Sequence, residues 1–267
     1  MLLPRIIPCL LIHNKGLVKT VKFKSPRYIG DPINAVRIFN EKQVDEIMIL
    51  DIDATVIGRP PDYSMISDLS SECRMPLCYG GGVTEANQVQ KIIQLGVEKV
   101  AISSGLLSNP NLITESAKRV GSQSLVGVID IKKVPFIKKY DIWTHNATKR
   151  RNISPLELAI RWANEGIGEL VLNFVDSDGC QNGYNLNFVS EIFSKIDIPV
   201  TVLGGAGSLS DIGDLIYRFN IIGAAAGSLF VYKGELNGVL INYPGSKEKE
   251  SILSKVKYHD RVNKDQK

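Results

Sequence analysis

The chain carries a copy of part of itself. Shifted by 123 residues, it falls on its own sequence without a gap from residue 31 to about residue 105. Asp31-Pro32 lands on Ser154-Pro155, Glu46 on Glu169, Asp53 on Asp176, Pro76 on Pro199, Gly81-Gly82 on Gly204-Gly205 and Ala101 on Ala224. Asp-Pro and Ser-Pro each read as a helix N-cap followed by proline at the first helical position. A duplication of this kind restricts the chain to folds made of two like halves.

The rhythm between the matched positions narrows the choice. Short β-rich runs are expected as strands at Arg5–Ile12, Glu46–Asp51, Pro76–Tyr79, Lys99–Ser103, Ser124–Asp130, Glu169–Phe174, Pro199–Leu203 and Ile221–Ala226, with amphipathic helical patterns such as Pro32–Gln43, Glu85–Leu95 and Ser208–Phe219 filling most gaps. Eight βα units in about 250 residues is the count of a closed (βα)8 TIM barrel. The repeat makes it one domain of two fused (βα)4 halves and disfavours an open doubly wound sheet. The barrel is expected over residues 1–246, followed by a charged C-terminal tail, 247–267, partly helical or frayed. Residues 132–152 break the rhythm with charge and aromatics, and are expected to form a hairpin over the barrel mouth.

Composition removes several classes. Thirty-two Lys and Arg against 28 Asp and Glu leave +4, too little to argue for nucleic acid. Four cysteines without a CxxC pair and three histidines give no zinc spacing, so neither metal nor cofactor is expected. So few cysteines in so long a chain read as reduced and cytoplasmic. The apolar start MLLPRIIPCLLIH is short and broken by Pro4 and Pro8, so it reads as a buried strand, and no run reaches membrane-span length.

The residues that could carry chemistry gather at strand ends. Gly80-Gly81-Gly82 follows the third strand and Gly204-Gly205-Ala206-Gly207 the seventh. Ser103-Ser104-Gly105 and Ala226-Gly227-Ser228 follow at matching distances and close the next strands. Small residues there let backbone N–H groups approach an anion. The same spacing twice implies a ligand with two phosphates; the plainer reading is tight turns. Asp51, Asp53, Asp130, Asp176 and Asp178 fall at or just past strand C-termini, the functional face of such barrels. Any of them could move protons, or serve as a cap or loop ion pair.

The segments RIIPCL, GLVK, DPINA, DEIMILDID, GGGV, VEKVAIS, VIDIK, GELVLNFVDSDG and GGAG together resemble HisF, the cyclase subunit of imidazole glycerol phosphate synthase, over about residues 1–235. The resemblance implies a half-barrel duplication. It also implies a glutaminase partner that makes ammonia, an ammonia path through the barrel, and a bisphosphorylated ribonucleotide acted on by two aspartates. Carried over position by position, Asp130 is the fifth-strand aspartate and Lys19 the mouth lysine. One phosphate site maps to Gly82, Ser103 and Ser104, and the other to Asp178, Gly179, Gly205 and Gly227. The first-strand aspartate maps to Leu11, which cannot move a proton. An Asn of the family stands as Ser103, and the Ser before the seventh-strand Gly-Gly as Leu203.

Arg5, Glu46, Lys99 and Glu169 each begin a strand, at the opposite end of the barrel. That face ordinarily serves stability. The resemblance implies that these four form the gate through which ammonia enters from a HisH-like glutaminase. Leu11 in CLL, with the GVLINYP segment within Asn237–Pro244, further resembles a divergent HisF branch. That branch works with a glutaminase and a separate amidotransferase to place acetamidino groups on surface sugars. Three functions follow. The first is an ammonia relay for acetamidino-sugar synthesis. The second is a working cyclase of histidine biosynthesis using Asp130, or another carboxylate such as Asp51, alone. The third is a non-catalytic scaffold for the glutaminase.

Overall fold

A computed structural model describes residues 3–135, 137, 139–234 and 236–254. Eight parallel strands close into a ring: β1 Arg5–His13, β2 Ile47–Asp51, β3 Leu77–Gly80, β4 Lys99–Ile102, β5 Leu125–Lys133, β6 Glu169–Phe174, β7 Val200–Leu203 and β8 Gly223–Ala226. Each pairs with the next, and β8 pairs with β1 in parallel through Gly223↔Arg5, so the barrel closes and leaves no sheet edge. Helices alternate with the strands on the outside, which makes the fold the (βα)8 barrel expected from the repeat.

The duplication is visible in packing. Helix Pro32–Glu41 is capped by Asp31, whose side chain accepts from Asn34 N–H at 2.8 Å, and helix Pro155–Glu165 is capped by Ser154. Phe39 and Trp162 stand at matching stations of these two helices, 0% and 1% exposed against the outer wall of the barrel. Truncating either to Ala would cost about 3–5 kcal/mol. The helices before β4 and β8, Ala86–Gln94 and Leu209–Phe219, both open on capping boxes, Glu85 with Gln88 and Ser208 with Asp211. These four residues also match under the 123-residue shift, with different side chains doing the same work.

Two antiparallel hairpins rise at the C-terminal mouth. The expected one follows β5: Lys133↔Tyr140 and Asp130↔Trp143 pair β5 with Tyr140–Thr144, which in turn pairs with Lys149–Arg150. The other was not expected. The gap after β1 is no helix; it is a hairpin of Gly16–Val21 and Lys24–Gly30, with Leu11↔Val18 joining it to β1. Its turns place Asn14, Lys15, Lys22 and Phe23 at positive φ, without the Asn-Gly or Asp-Gly pair that advertises such turns. Residues 246–254 are helical, and the rest of the charged tail, 255–267, lies outside the described residues. Among the described residues no helix is long and apolar enough to cross a membrane.

Candidate functional site at the barrel mouth

Side chains alternate across a strand, so every second residue faces the barrel interior. Following that period upward shows which side chains face the interior on five of the strands. Arg5, Ile7, Cys9 and Leu11 ascend on β1; Glu46, Met48 and Leu50 along β2; Lys99, Ala101 and Ser103 along β4; Val126, Val128 and Asp130 along β5; Glu169, Val171 and Asn173 along β6. Charge stands at the bottom of β1, β2, β4 and β6, apolar side chains fill the middle, and polar groups reach the mouth on β4, β5 and β6. The middle is a separate buried cluster that includes Ile7, Cys9, Met48, Cys78, Val126, Val171 and Ala225. Burial pushes the Cys9 thiol up to about 12, against the pull of Lys19. The same effect, with Glu46 and Glu169 below, holds Cys78 well above the usual thiol range.

The four residues at the bottom form a closed ring. Arg5 reaches Glu46 through Nη1 and Glu169 Oε1 through Nη2 at 2.8 Å; Lys99 Nζ donates to Glu46 Oε2 at 2.8 Å and to Glu169 Oε2 at 2.9 Å. Thr201 Oγ1 adds a 2.6 Å hydrogen bond to Glu169 Oε1. Burial opposes charge on Arg5 and Lys99, yet the two carboxylates outweigh it, and both stay charged above their ordinary range. The same cations hold Glu169 below its ordinary range despite its burial.

At the mouth a cavity is lined by Leu11, Lys19, Gly82, Ser103, Ser104, Asp130, His145, Asn173 and Asp178, among others. Asp130 is half-buried in the wall of this cavity. Asn173 Nδ2 donates to its Oδ1 at 2.8 Å and Ser103 Oγ to its Oδ2 at 3.4 Å. Burial dominates and raises its pKa to about 7; the two hydrogen bonds oppose the shift and the Asp178 charge adds to it. A carboxyl group that titrates near neutrality suits general acid or base work.

Asp178 faces the first hairpin. It accepts from Thr20 Oγ1 at 2.6 Å and Phe23 N–H at 3.2 Å, and lies 3.7 Å from Lys19 Nζ. Lys19 is buried and lies so close to Gly227 that a Cβ there would stand 2.3 Å from Nζ. Of the two glycine-flanked sets, Gly82, Ser103 and Ser104 line the cavity. From the second, only Asp178 does, while Gly179, Gly205 and Gly227 lie outside its lining. Gly205, at φ +118, lies against Gly183 O, and Gly179 packs against Thr20 O.

The other strand-end carboxylates are committed to loops. Asp51 accepts from Asp53 and Ala54 N–H and from Arg59 Nη2 at 2.6 Å. Asp53 is tied to His13 Nδ1 and Asn14 N–H, and Asp176 accepts from Lys133 N–H. Leu11 is 8% exposed and belongs to the lumen cluster, so the position opposite Asp130 presents no titratable group. Among the described residues no group of His, Cys, Asp and Glu could hold a metal ion.

Asn173 and Thr201 carry hydrogen bonds at the two ends of the lumen, and the sequence motifs give neither of them a role. The period-2 rule puts both on inward faces, and strand pairing then sets Asn173 level with Asp130 and Thr201 level with Gly223.

Fold and site together define a duplicated (βα)8 barrel with a carboxylate of raised pKa at its mouth and a closed ring of charge at its base. A family model described as histidine biosynthesis protein matches residues 5–237. A Vibrio vulnificus protein provisionally named imidazole glycerol phosphate synthase subunit hisF3 is 51% identical over 253 residues, covering 95% of this chain and 97% of its own. A Pseudomonas aeruginosa hisF2 protein with the same provisional name is 48% identical over 240 residues, covering 90% and 95%. The HisF subunit of imidazole glycerol phosphate synthase from Limosilactobacillus fermentum is 34% identical over 233 residues, covering 87% and 89%. The chain belongs to the histidine biosynthesis family, among its HisF members.

Proposed function

We propose that this chain is the synthase-side subunit of a glutamine amidotransferase complex. It receives ammonia from a HisH-type glutaminase at the base of the barrel, relays it through the apolar lumen, and releases it at the mouth for acetamidino modification of surface sugars. The observation that carries the reading is the pairing of a complete charged ring with an apolar Leu11. A ring of two cations and two anions satisfies itself and closes the lumen to bulk water, while a small neutral molecule can pass between its members. An apolar lumen then admits neutral ammonia and rejects ammonium, because burying an uncompensated charge is costly. Leu11 removes half of the proton-transfer pair that cyclisation of the histidine-pathway substrate would use. The sugar assignment draws on the CLL and GVLINYP segments, and on the 51% and 48% identities to hisF3 and hisF2 proteins against 34% to a HisF named without qualification.

In this reading Gly82, Ser103 and Ser104 grip one phosphate-like group at the mouth, with Gly179, Gly205 and Gly227 offering a second set beside Lys19 and Asp178. The test is a complex reconstituted with the glutaminase, in which Glu46→Ala or Lys99→Ala uncouples glutamine-driven from ammonium-driven product formation. Unchanged coupling rejects the relay. A second reading, a cyclase running on Asp130 alone, is favoured by the pKa of that carboxyl near 7. Imidazole glycerol phosphate formed from the bisphosphorylated ribonucleotide and ammonium would select it.

A further inference from the structure

The net charge of +4 conceals a strong separation. Twelve of the 32 Lys and Arg residues, but one of the 28 Asp and Glu, fall in segments 14–30 and 132–152; these two segments together stand at +11 and the remaining 229 residues at −7. The segments are the two mouth hairpins. They rise from β1 and β5, four strands apart in an eight-stranded ring, so they stand on opposite sides of the mouth.

Their cations look outward. Among the described lysines and arginines of the hairpins, only Lys19 lines the mouth cavity. Lys15, Lys22, Lys24, Arg27, Lys133 and Lys149 are exposed, and none of them has a carboxylate within ion-pair distance among the described residues. A small ligand seated in the cavity does not meet them. Exposed apolar side chains stand among them: Val21 at 52%, Tyr28 at 65% and Ile137 at 62%. Unpaired cations interspersed with exposed apolar and aromatic groups fit a protein surface of opposite charge, which uses the apolar groups as well as the field.

We propose that the two hairpins are the docking surface for the acidic face of a second protein, the enzyme that accepts ammonia as it leaves the mouth. The proposal rests on the relay reading above. Ammonia released into neutral water is captured as ammonium, so an acceptor on a separate chain must cover the mouth to use it. The cationic rim orients that chain and steers its approach, and the rest of the molecule, at −7, repels the same acidic face elsewhere.

The probe is fluorescently labelled poly-L-glutamate, titrated against the full chain at about physiological ionic strength, where free charges more than roughly 8 Å apart are screened. It is compared with duplex DNA of matched charge. The triple variant Lys22→Glu/Lys24→Glu/Lys149→Glu reverses three unpaired exposed cations. Lys42→Glu/Lys118→Glu, on the helical flank, is the control for general charge. The expected result is polyglutamate binding that protects backbone amides in 14–30 and 139–152 from hydrogen exchange. The triple variant should weaken it by about tenfold or more, and the control should leave it within about twofold. Three results overturn the proposal: no polyglutamate binding, equal weakening by the control, or tighter binding of DNA, which would make the rim a nucleic-acid surface. The assay needs neither glutaminase nor glutamine. Failure here with intact glutamine coupling removes the docking surface alone, whereas lost coupling removes the relay.

Discussion

At the scale of single residues, the mouth turns on what faces Asp130. Leu11→Asp restores a carboxyl group in register with an intact partner, and should raise ammonium-dependent cyclase turnover; no gain would show that more than this proton carrier has been lost. It also buries a carboxyl within an apolar cluster and should cost about 1–3 kcal/mol in a denaturant melt. Asp130 itself gives a pH signature. Its folded pKa of about 7 lies above its unfolded 3.8, so the folded state binds the proton more tightly. The contribution to stability is therefore fully present below about pH 4, is lost as pH rises, and is gone above about pH 7. Asp130→Asn should raise the melting temperature at pH 8, and that gain should shrink steadily toward pH 4. Asp130 and Lys19 were legible in the sequence because short motifs surround them. Asn173 was not, since an Asn inside ELVLNF reads as an ordinary strand position until pairing sets it beside Asp130 at 2.8 Å.

At the scale of elements, the strands were legible because each short β-rich run is bounded by turn residues, and the duplication lets each half check the other. The hairpin after β1 was not. Its strands alternate polar and apolar residues weakly, and its turn residues Lys22 and Phe23 adopt positive φ without a glycine to signal it. What holds that hairpin down is long-range: Asp178 on the loop after β6 accepts from Thr20 and Phe23 and faces Lys19. No local rule joins residues 158 apart in sequence. Asp178→Ala removes these contacts together and leaves Lys19 buried without a counter-charge. Amides of 17–23 should then exchange faster by about tenfold or more while those of β6 are unchanged, consistent with about 1.5–3 kcal/mol for hydrogen bonds to a charged group. Equal exchange in both proteins would place the anchor elsewhere.

At the scale of the whole molecule, the barrel is layered: charge at the base from β1, β2, β4 and β6, an apolar lumen, and polar groups at the mouth from β4, β5 and β6. The base is self-contained. Glu169→Gln takes one of two anions from a ring with two cations and should destabilise the fold by about 2–4 kcal/mol, with the loss largest at neutral pH. Glu46→Ala and Lys99→Ala should spare ammonium-driven product formation while reducing the glutamine-driven rate. The sequence disclosed this architecture because a duplicated half fixes where each strand begins. It did not disclose the cationic rim, because a net charge of +4 averages the hairpins against an acidic remainder. The central claim, a barrel that keeps its ammonia path and its grip on phosphate but has lost cyclisation, meets its most direct test in one assay. The purified chain is given the bisphosphorylated ribonucleotide of the histidine pathway with excess ammonium, and both ligand binding and imidazole glycerol phosphate are followed. The account predicts binding without product. Product formed at the rate of an ordinary cyclase would contradict it and return the chain to histidine synthesis.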